Sequence, residues 1–368
     1  MMTIIHLEND PLKRYFKSFE YKELYPFDKI FVIGITGSCG KTSTSLYIYH
    51  FLKNHQVDVC YIGTHKILYK NLQLDTSNTT LEIDQLYDYF IKNCIFPKII
   101  VMEVSSHGIN LARINCFHFH LIGLTNLGQD HLDFHLNQKN YHNVKKAFLN
   151  NNSQPQKVFI PLKYKSKEFK NCQYYEVNQE MFDQKKHLPY DYQNLYLAYL
   201  ILKEMKYDEK MIIEELNNTQ LLNGRGEIIY HHQQRIIIDY AHQVESFEAI
   251  LNNQNFNKVV IFGCGGNREK QKRMIMGKIA EKYCKYVIIT EDNSRNEDLM
   301  DIIHDITSQM SNYTIIKDRQ EAIRYALNNY KDIDIYILGK GDEEFIEKNH
   351  QKIYFNDKKE VLKIIMKR

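Results

Sequence analysis

The stretch Phe31–Ser45, FVIGITGSCGKTSTS, decides the fold of the first half of the chain. It starts with an apolar run typical of a buried strand, passes through a glycine-containing loop, and leads into the helix-compatible segment SLYIYHFLKN. A strand, a glycine loop and a helix in this order are typical of a phosphate-binding loop. In such a loop, backbone N–H groups and the helix N-terminus face the anion. A glycine turn with a chance Gly-Lys-Thr would not explain both flanking segments, so we expect the chain to bind a nucleoside triphosphate.

Individual residues of this loop have distinct expected roles. The spacing departs from the common Walker form, because Ile35 stands where the first glycine would be. Lys41 is placed to reach the outer phosphates, and the Thr42 hydroxyl is placed to bind Mg²⁺. The loop residues expected to bind ATP are Gly37, Ser38, Cys39, Gly40, Lys41, Thr42 and Ser43.

Composition limits the classes of function. The 368 residues suffice for two or three domains with sizeable cores. A formal net charge of +3 gives no electrostatic argument for nucleic acid or an anionic membrane as partner. The opening residues MMTIIHLENDPLKRYF lack the apolar core of a signal peptide, and no apolar run approaches a membrane span. The seven cysteines are dispersed without a C-x-x-C pair, which favours a reduced, cytoplasmic protein without structural zinc.

Segments typical of strands and helices alternate from Lys29 onward. Such alternation predicts an α/β fold with a parallel-type sheet and covering helices. The alternation restarts after LLNGRGE, so we place a domain boundary near Leu222. Residues 155–187 read as polar and irregular. We therefore expect a short N-terminal extension over 1–28, a central domain over 29–222 and a C-terminal domain over 223–368.

Reactive side chains follow two predicted strands of the central domain. Glu103, in VMEVSSHG, is a candidate Mg²⁺ ligand, because that ion takes hard oxygen ligands. The alternative is a solvated loop with a capping serine. Neighbouring Ser and His also suggest a hydrolase, but the sequence has no G-x-S-x-G elbow. TNLGQDHLDFH concentrates Asp and His, yet its spacing fits no common zinc pattern.

Polar clusters also follow predicted strands in the C-terminal domain. The four clusters lie at residues 239–242, 263–268, 292–295 and 339–343. The carboxyl ends of parallel strands meet at one edge of the sheet, where ligands of open α/β sheets bind. The glycines at 263–266 are not a dinucleotide fingerprint, because Arg268 stands where the third glycine belongs.

Taken together, these motifs resemble those of the Mur ligases, and most nearly the type that adds diaminopimelate. The matching motifs are ITGSCGKTST, NTT, MEVSSHG, TNLGQDHLDFH, Tyr141-x3-Lys145, GRGE, DYAH, FGCGGNRE, KRMIMG, DNSR and GKGDE. The resemblance covers about Lys29 to the C-terminus. It implies a central P-loop ATPase domain and a C-terminal Rossmann-like domain that closes over it. It also implies ATP and Mg²⁺ as cofactors, used to convert a carboxylate into an acyl phosphate that an amino acid's amine attacks, in peptidoglycan precursor synthesis.

The resemblance also implies the catalytic residues. Lys41 and Thr42 match the residues that hold phosphate and one Mg²⁺, with Glu103 on the same metal. His131 matches the ligand of a second Mg²⁺. Lys145 falls where the family carries an N-carboxylated lysine, which is an anion that helps to hold a metal. Lys146 lies about 100° further round the helix and is expected to be its solvated neighbour.

Three further sets of binding residues are carried over by motif, and the partners that they imply are small molecules. We expect the protein to be a monomer. Beyond the loop, the residues matching ATP contacts are Asn194, Arg225, Asp239 and His242. The residues matching contacts to the carboxylate acceptor are Thr79, Thr80, Ser105 and Arg113. The residues matching the diaminopimelate site are Arg268, Asn293, Arg295, Gly339 and Glu343.

Departures from the family pattern concern the acceptor. The family's N-terminal domain, which holds the UDP group, has no counterpart in this sequence. Leu111 replaces a glutamine of the acceptor site, and Leu81 and Ser294 replace prolines. Two acceptors therefore remain open, UDP-N-acetylmuramyl-dipeptide and a smaller acid in a specialised pathway. The rival from another class is a family member that has lost catalysis and acts as a binding module, against which the retained Lys41, Glu103, His131 and Lys145 argue.

Overall fold

The protein is described from a computed structural model. The described residues are 25, 27–64, 66–76, 78–128, 137–150, 157–169, 172–183, 186–219, 224–252 and 255–366. They form two compact units. The first unit holds the described residues up to Asp183 and again Asp191–Thr219, and the second holds those from 186 to Tyr190 and from 224 onward. The extension expected over 1–28 falls almost entirely outside the described residues.

An eight-stranded sheet organises the first unit. Its strands are β1 (Phe31–Thr36), β2 (Val59–Gly63), β3 (Lys66–Tyr69), β4 (Leu72–Asp75), β5 (Ile99–Val104), β6 (Phe119–Leu124), β7 (Lys157–Pro161) and β8 (Cys172–Tyr175). Its helices are α1 (Lys41–Asn54), α2 (Ile83–Lys92), α3 (Ser106–Asn110), α4 (Gln138–Asn150), α5 (Tyr192–Glu204) and α6 (Glu209–Asn218). Short 3₁₀ turns occupy Phe27–Lys29, Leu162–Tyr164, Gln179–Met181 and Pro189–Asp191.

Strand β1 lies inside this sheet, between β5 and β6, and pairs with both in parallel. The order β4-β3-β2-β5-β1-β6-β7-β8 leaves β1 at the point where the chain changes direction across the sheet. Every residue of β1 after Phe31 is buried, which is why its sequence is apolar without alternation. Loops at the carboxyl ends of β1, β5 and β6 therefore converge, and this is the expected location of a ligand site.

A six-stranded sheet organises the second unit, in the order β13-β12-β11-β14-β10-β9. Its strands are β9 (Glu227–His231), β10 (Gln234–Asp239), β11 (Lys258–Phe262), β12 (Tyr286–Ile289), β13 (Thr314–Ile315) and β14 (Asp334–Leu338), and β15 (Phe345–Lys348) and β16 (Gln351–Tyr354) form a separate hairpin. Its helices are α7 (Val244–Leu251), α8 (Gln271–Tyr283), α9 (Leu299–Thr307), α10 (Arg319–Asn329) and α11 (Asp357–Ile365).

Both faces of this second sheet are covered. Ile237 of β10 packs into one core with residues of α7, α8 and α9, whereas its neighbours Ile236 and Ile238 pack into the other core with α10 and α11. Alternate residues of a strand point to opposite faces, so the continuous apolar run at 236–238 is the signature of a strand buried on both sides. The α/β class predicted from the sequence is confirmed.

The polar character of residues 155–187 was misleading. The described part of this stretch contains strands β7 and β8, which extend the first sheet in parallel from β6. Strand β8 is short and carries partly exposed residues, since it forms the edge of the sheet. An edge strand needs little apolar sequence, and this is why the pattern of composition did not reveal it.

The described residues include no helix that is long and apolar enough to cross a membrane.

A buried ion pair joins the helices on one face of the second sheet. Arg319 and Asp357 have fully buried side chains and form two hydrogen bonds, Nε to Oδ1 at 2.8 Å and Nη2 to Oδ2 at 2.9 Å. Arg319 also donates to the Leu338 carbonyl at the end of β14, at 2.9 Å. Both helices therefore begin at one charged contact beneath the strand ends.

Replacing Arg319 by Met should destabilise the second unit strongly, because Asp357 would remain buried without its counter-charge. Loss of one partner of such a pair typically costs about 3–5 kcal/mol. Urea denaturation followed by circular dichroism measures the cost, and hydrogen exchange of α10 and α11 localises it. Arg324→Met on the same helix is the matched control, because the Arg324–Glu321 pair is 45% and 54% exposed and should leave the midpoint nearly unchanged. Equal effects of the two changes would contradict the role of the buried pair.

Candidate active site

The loop Gly37–Thr42, here called the phosphate loop, needs glycine at two positions. Gly37 has φ +147° and Gly40 has φ +79°, a region that other residues enter only with strain. A Cβ at Gly37 would lie 1.9 Å from Thr125 Oγ1, and one at Gly40 would lie 2.2 Å from Asn194 Oδ1. Conformation and packing together therefore exclude larger residues from both positions.

The Lys41 ammonium is held at this loop. Its Nζ donates to the carbonyl oxygens of Gly37 at 2.8 Å and Ser38 at 2.9 Å. Lys41 is also the first residue of α1. A phosphate at the loop would thus meet a cation together with the N-terminal N–H groups of a helix.

Asn126 fixes the shape of the phosphate loop, a role that the sequence analysis missed. Its Oδ1 accepts hydrogen bonds from the backbone N–H groups of Ser38 and Cys39, each at 3.0 Å, and its Nδ2 donates to the Cys39 carbonyl at 3.1 Å. The Thr125 hydroxyl donates to the same carbonyl. These residues follow β6, the strand beside β1, so their position in the sheet order brings them to the loop.

Glu103 is the most enclosed acid among the described residues of the first unit, with a side chain fully buried at the end of β5. Its two oxygens accept hydrogen bonds from the hydroxyls of Tyr61, Thr42 and Thr64 and from the Thr64 N–H. The Thr42 hydroxyl and Glu103 Oε2 are 3.0 Å apart. A carboxylate and a hydroxyl in contact at a phosphate loop are hard oxygen donors that suit Mg²⁺.

Lys145 and Lys146, adjacent on α4, lie in opposite environments. The Lys145 side chain is 1% exposed, and its Nζ donates to the Gly37 carbonyl at 3.1 Å and lies 4.6 Å from the centre of the Tyr141 ring. Tyr141 in turn shares a hydrogen bond with Ser38. Lys146 instead pairs with Glu168 at the surface. One step round the helix thus separates the lysine at the phosphate loop from a solvated one.

His131 and Asn194 are the other two residues of this unit that were predicted to bind metal or nucleotide. His131 lies outside the described residues. Asn194 is buried beside the loop, where its Nδ2 donates to Asp191 at 2.8 Å and its Oδ1 accepts from Thr44 at 3.4 Å. Asn194 therefore lies behind Gly40 as part of a hydrogen-bonded support for α1.

The four residues predicted for the acceptor lie together beside Glu103. The Thr80 hydroxyl donates to the Glu103 carbonyl at 3.1 Å and lies 3.0 Å from the Ser105 hydroxyl. Arg113 donates to the Thr80 carbonyl at 3.0 Å and forms an ion pair with Glu82 at 2.7 Å.

The fourth, Thr79, connects this group to the acid itself. Its hydroxyl lies 3.2 Å from that of Thr64, which donates to Glu103 Oε2 at 3.0 Å. The candidate metal ligand and the predicted acceptor residues therefore belong to one hydrogen-bonded cluster.

In the second unit, Asp239 ends β10 and organises the predicted nucleotide contacts there. It accepts hydrogen bonds from the Tyr190 hydroxyl at 2.8 Å and from the N–H groups of Gly226 at 2.6 Å and Ala241 at 2.7 Å. Burial raises the pKa of the Asp239 carboxyl, and these donors and the nearby Arg225 act in the opposite direction. The Arg225 guanidinium lies 4.1 Å from the centre of the Tyr240 ring.

His242 follows in the same loop. Its Nδ1 lies 2.9 Å from the Tyr240 carbonyl, and its own carbonyl accepts from Lys272 at 3.0 Å. Two backbone carbonyls of the loop after β10, those of Tyr240 and His242, therefore anchor it to side chains.

Two residues predicted for the amino acid meet at the carboxyl ends of β12 and β14. Asn293 Nδ2 donates to Glu343 Oε2 at 2.8 Å. Lys340, which the sequence analysis did not single out, is fully buried between them and donates to Asn293 Oδ1 at 3.1 Å and to Glu343 Oε2 at 2.7 Å. Gly339 has φ +108°, and a Cβ there would lie 2.8 Å from Asp292 Oδ2.

The two predicted arginines flank one glycine. A Cβ at Gly265 would lie 3.0 Å from Arg295 Nη1 and 3.7 Å from Arg268 Cγ. Arg295 donates to the Gly266 carbonyl at 2.7 Å and pairs with Glu347 at 3.2 Å, whereas Arg268 is exposed. Two guanidinium groups beside one loop suit the recognition of carboxylates.

Arg273 of α8, in the KRMIMG motif, ties these loops together. Its fully buried guanidinium donates to Glu297, Asp305 and the Gly265 carbonyl. Hydrogen bonding to Arg273 lowers the pKa of the Glu297 carboxyl to about 2. The sequence contained the residue types but gave no sign of which arginine is buried, since that depends on the packing of α8 against the strand ends.

Two family models match this chain, each over a different part of it. The model of the Mur ligase middle domain matches residues 35–212, and the model of the Mur ligase, glutamate ligase domain matches residues 224–341. The chain is 32% identical over 400 residues to the UDP-N-acetylmuramoyl-L-alanyl-D-glutamate–2,6-diaminopimelate ligase of Wigglesworthia glossinidia brevipalpis. That alignment covers 94% of this chain and 79% of the relative.

Solved structures share the fold. A structure of a protein with the same name matches with a TM-score of 0.62 and 22% identity, covering 96% of this chain and 82% of that one. A bifunctional folylpolyglutamate synthase/dihydrofolate synthase with Mn, AMPPNP and L-glutamate bound matches with a TM-score of 0.66 and 14% identity, covering 89% and 91%. Both family domains and an identity of 32% over nearly the whole chain show that it belongs to the Mur ligases, a family of ATP-dependent enzymes that form amide bonds.

Proposed function

We propose that this Mur ligase uses ATP to activate a carboxylate in its first unit and joins it to a diaminopimelate-like amino acid bound by its second unit. The observation that carries the proposal is the cluster around Glu103. That one carboxylate contacts Thr42 of the phosphate loop and, through Thr64, approaches Thr79 of the predicted acceptor group. Reaction between a nucleotide and an acceptor requires such proximity.

ATP is assigned to the phosphate loop and Mg²⁺ to Thr42 and Glu103. The buried, hydroxyl-lined carboxylate fits a hard divalent cation, and a bound Mg²⁺ would supply charge stabilisation for the transferring phosphoryl group. Lys41 neutralises charge that develops on that group. Asn126 holds the backbone of Ser38 and Cys39, and so fixes the shape of the loop around it. In a related fold, the synthase described above binds Mn and AMPPNP.

The chemical steps balance without a further reactant. A carboxylate oxygen of the acceptor attacks the γ-phosphorus of ATP, ADP leaves, and an acyl phosphate forms. The amine of the amino acid then attacks the carbonyl carbon, phosphate leaves with the former carboxylate oxygen, and the nitrogen loses a proton. Thr80, Ser105 and Arg113 are assigned to holding the acceptor, and the arginine suits its carboxylates.

The acceptor that best fits the relatives is UDP-N-acetylmuramoyl-L-alanyl-D-glutamate, which the name of the Wigglesworthia protein contains. For the amino acid, Arg268 and Arg295 suit a distal carboxylate, and Glu343 suits a distal ammonium. Diaminopimelate carries both groups, whereas lysine lacks the carboxylate.

Lys41→Ala should reduce acceptor-dependent ADP release by roughly 10²–10³-fold, because a clamp on developing charge is lost. Lys53→Ala is the matched control, since Lys53 is an exposed residue at the other end of the same helix. Steady-state ADP release by both variants measures the difference, with circular dichroism as the test of folding. Normal turnover by the folded Lys41 variant would refute the assignment of ATP to this loop.

We further assign an N-carboxylated side chain to Lys145, as the resemblance to the Mur ligases implies for this position, and the burial of Lys145 at the phosphate loop supports the assignment. Lys145→Ala should lower activity at least roughly hundredfold, and a small added carboxylate such as acetate should restore part of it. Lys146→Ala is the control and should be nearly silent, since Lys146 lies at the surface. If the Lys146 change is the damaging one, the assignment is wrong.

The amino acid assignment predicts that diaminopimelate gives the fastest acceptor-dependent phosphate release in a panel of amino acids. An analogue without the distal carboxylate forgoes the charge-assisted hydrogen bonds that the guanidinium groups of Arg268 and Arg295 would donate to it. Measured kcat/KM values across the panel test this. A preference for lysine or for a monocarboxylate would contradict it.

A further inference from the structure

Lys340 is a buried cation inside the predicted amino acid site. Its side chain is fully buried, and its Nζ lies 2.7 Å from Glu343 Oε2 and 3.1 Å from Asn293 Oδ1. Its Nζ is also 3.9 Å from Asp292 Oδ1. A fully buried ammonium is costly unless it balances charge and has hydrogen-bond partners, and here it has both.

The charged groups that face the Lys340 ammonium are carboxylates. Asp292 and Glu343 both face its ammonium, and the buried Arg319 nearby is committed to Asp357 by two hydrogen bonds. Arg295 is likewise paired with Glu347. Without Lys340, the carboxylates of Asp292 and Glu343 would lie together at the strand ends, and among the described residues the nearby Arg319, already paired with Asp357, would act on both of them.

The hydrogen bonds to Glu343 also leave one side of its carboxylate available. Within the described part of the chain, Asn293 and Lys340 both donate to Oε2, and neither donates to Oε1. Oε1 is thus the oxygen that an incoming ammonium would reach. Because Lys340 already neutralises this acid, a substrate that brings only positive charge gains little from it.

We propose that Lys340 is a specificity-determining residue. Its ammonium makes the site prefer an amino acid whose distal end carries no net charge over one whose distal end is a lone ammonium. The inference rests on the proposed function, in which Asn293, Arg295 and Glu343 bind that amino acid. Diaminopimelate ends in an ammonium and a carboxylate, which sum to zero. Lysine ends in an ammonium alone, which a site with one more negative charge would favour.

Lys340→Gln tests the inference, because glutamine can still donate to Glu343 and Asn293 but carries no charge. The ratio of kcat/KM for diaminopimelate to kcat/KM for lysine should fall roughly tenfold, as expected for one charge removed at close range in a partly solvated site. The KM for ATP should stay within about twofold of the wild-type value, which separates a local effect from general damage. Lys340→Arg keeps the charge and should keep the preference for diaminopimelate.

A double variant guards against failure to fold. Lys340→Gln combined with Asp292→Asn removes one charge of each sign, so it should fold and recover the wild-type preference for diaminopimelate. If the folded single variant keeps the wild-type ratio, or if the double variant behaves like the single one, charge does not set the preference and the inference is overturned.

The wild-type enzyme separates this inference from the proposed function. If it releases no ADP in response to any amino acid, the proposed function fails and the inference fails with it. If it prefers diaminopimelate while Lys340→Gln keeps that preference, only the inference fails.

Discussion

The buried carboxylate of Glu103 is the contact on which the chemistry proposed for the first unit depends. It lies at the end of β5, beside the strand that carries the phosphate loop, and accepts hydrogen bonds from residues of α1, β2 and the loop that follows β2. An acid enclosed in this way is stable only when its partners are in place. One side chain therefore links the sheet, the phosphate loop and, through Thr64, the residues predicted for the acceptor.

In the second unit, too, the polar residues of the site follow the carboxyl ends of strands, but here buried cations rather than a buried acid hold them. Loops at the ends of β10, β11, β12 and β14 carry its polar residues, and buried ion pairs hold those loops in place. Arg273 and Arg319 are structural cations that are saturated by acids and carbonyls. Arg268 is exposed, whereas Lys340 is fully buried between the carboxylates of Asp292 and Glu343. In the proposed function, the amino acid that binds therefore depends on which of these cations already have acidic partners within the protein.

The fold class and the residues of the phosphate loop could be predicted from the sequence, because short stretches of sequence carry their patterns. The phosphate loop lies between an apolar strand and a helix, and the spacing of Lys145 and Lys146 on a helix separated a buried lysine from a surface one. Strands β7 and β8 were missed inside a stretch that is polar as a whole, and β8 forms the edge of the sheet, which needs little apolar sequence. Asn126, Arg273 and Lys340 were also missed as individual residues. Their importance comes from strand order and from packing across the sheet edge, which no short window of sequence contains.

The most direct test asks whether the acceptor carboxylate is activated as an acyl phosphate, and it follows one oxygen atom of that carboxylate. The acceptor UDP-N-acetylmuramoyl-L-alanyl-D-glutamate is labelled with ¹⁸O in its reacting carboxylate and incubated with the enzyme, ATP, Mg²⁺ and diaminopimelate. The released phosphate is then analysed by mass spectrometry. An acyl phosphate intermediate predicts one ¹⁸O atom in each phosphate, because the carboxylate oxygen leaves with phosphorus. Phosphate without label, released at the rate of amide formation, would contradict the account.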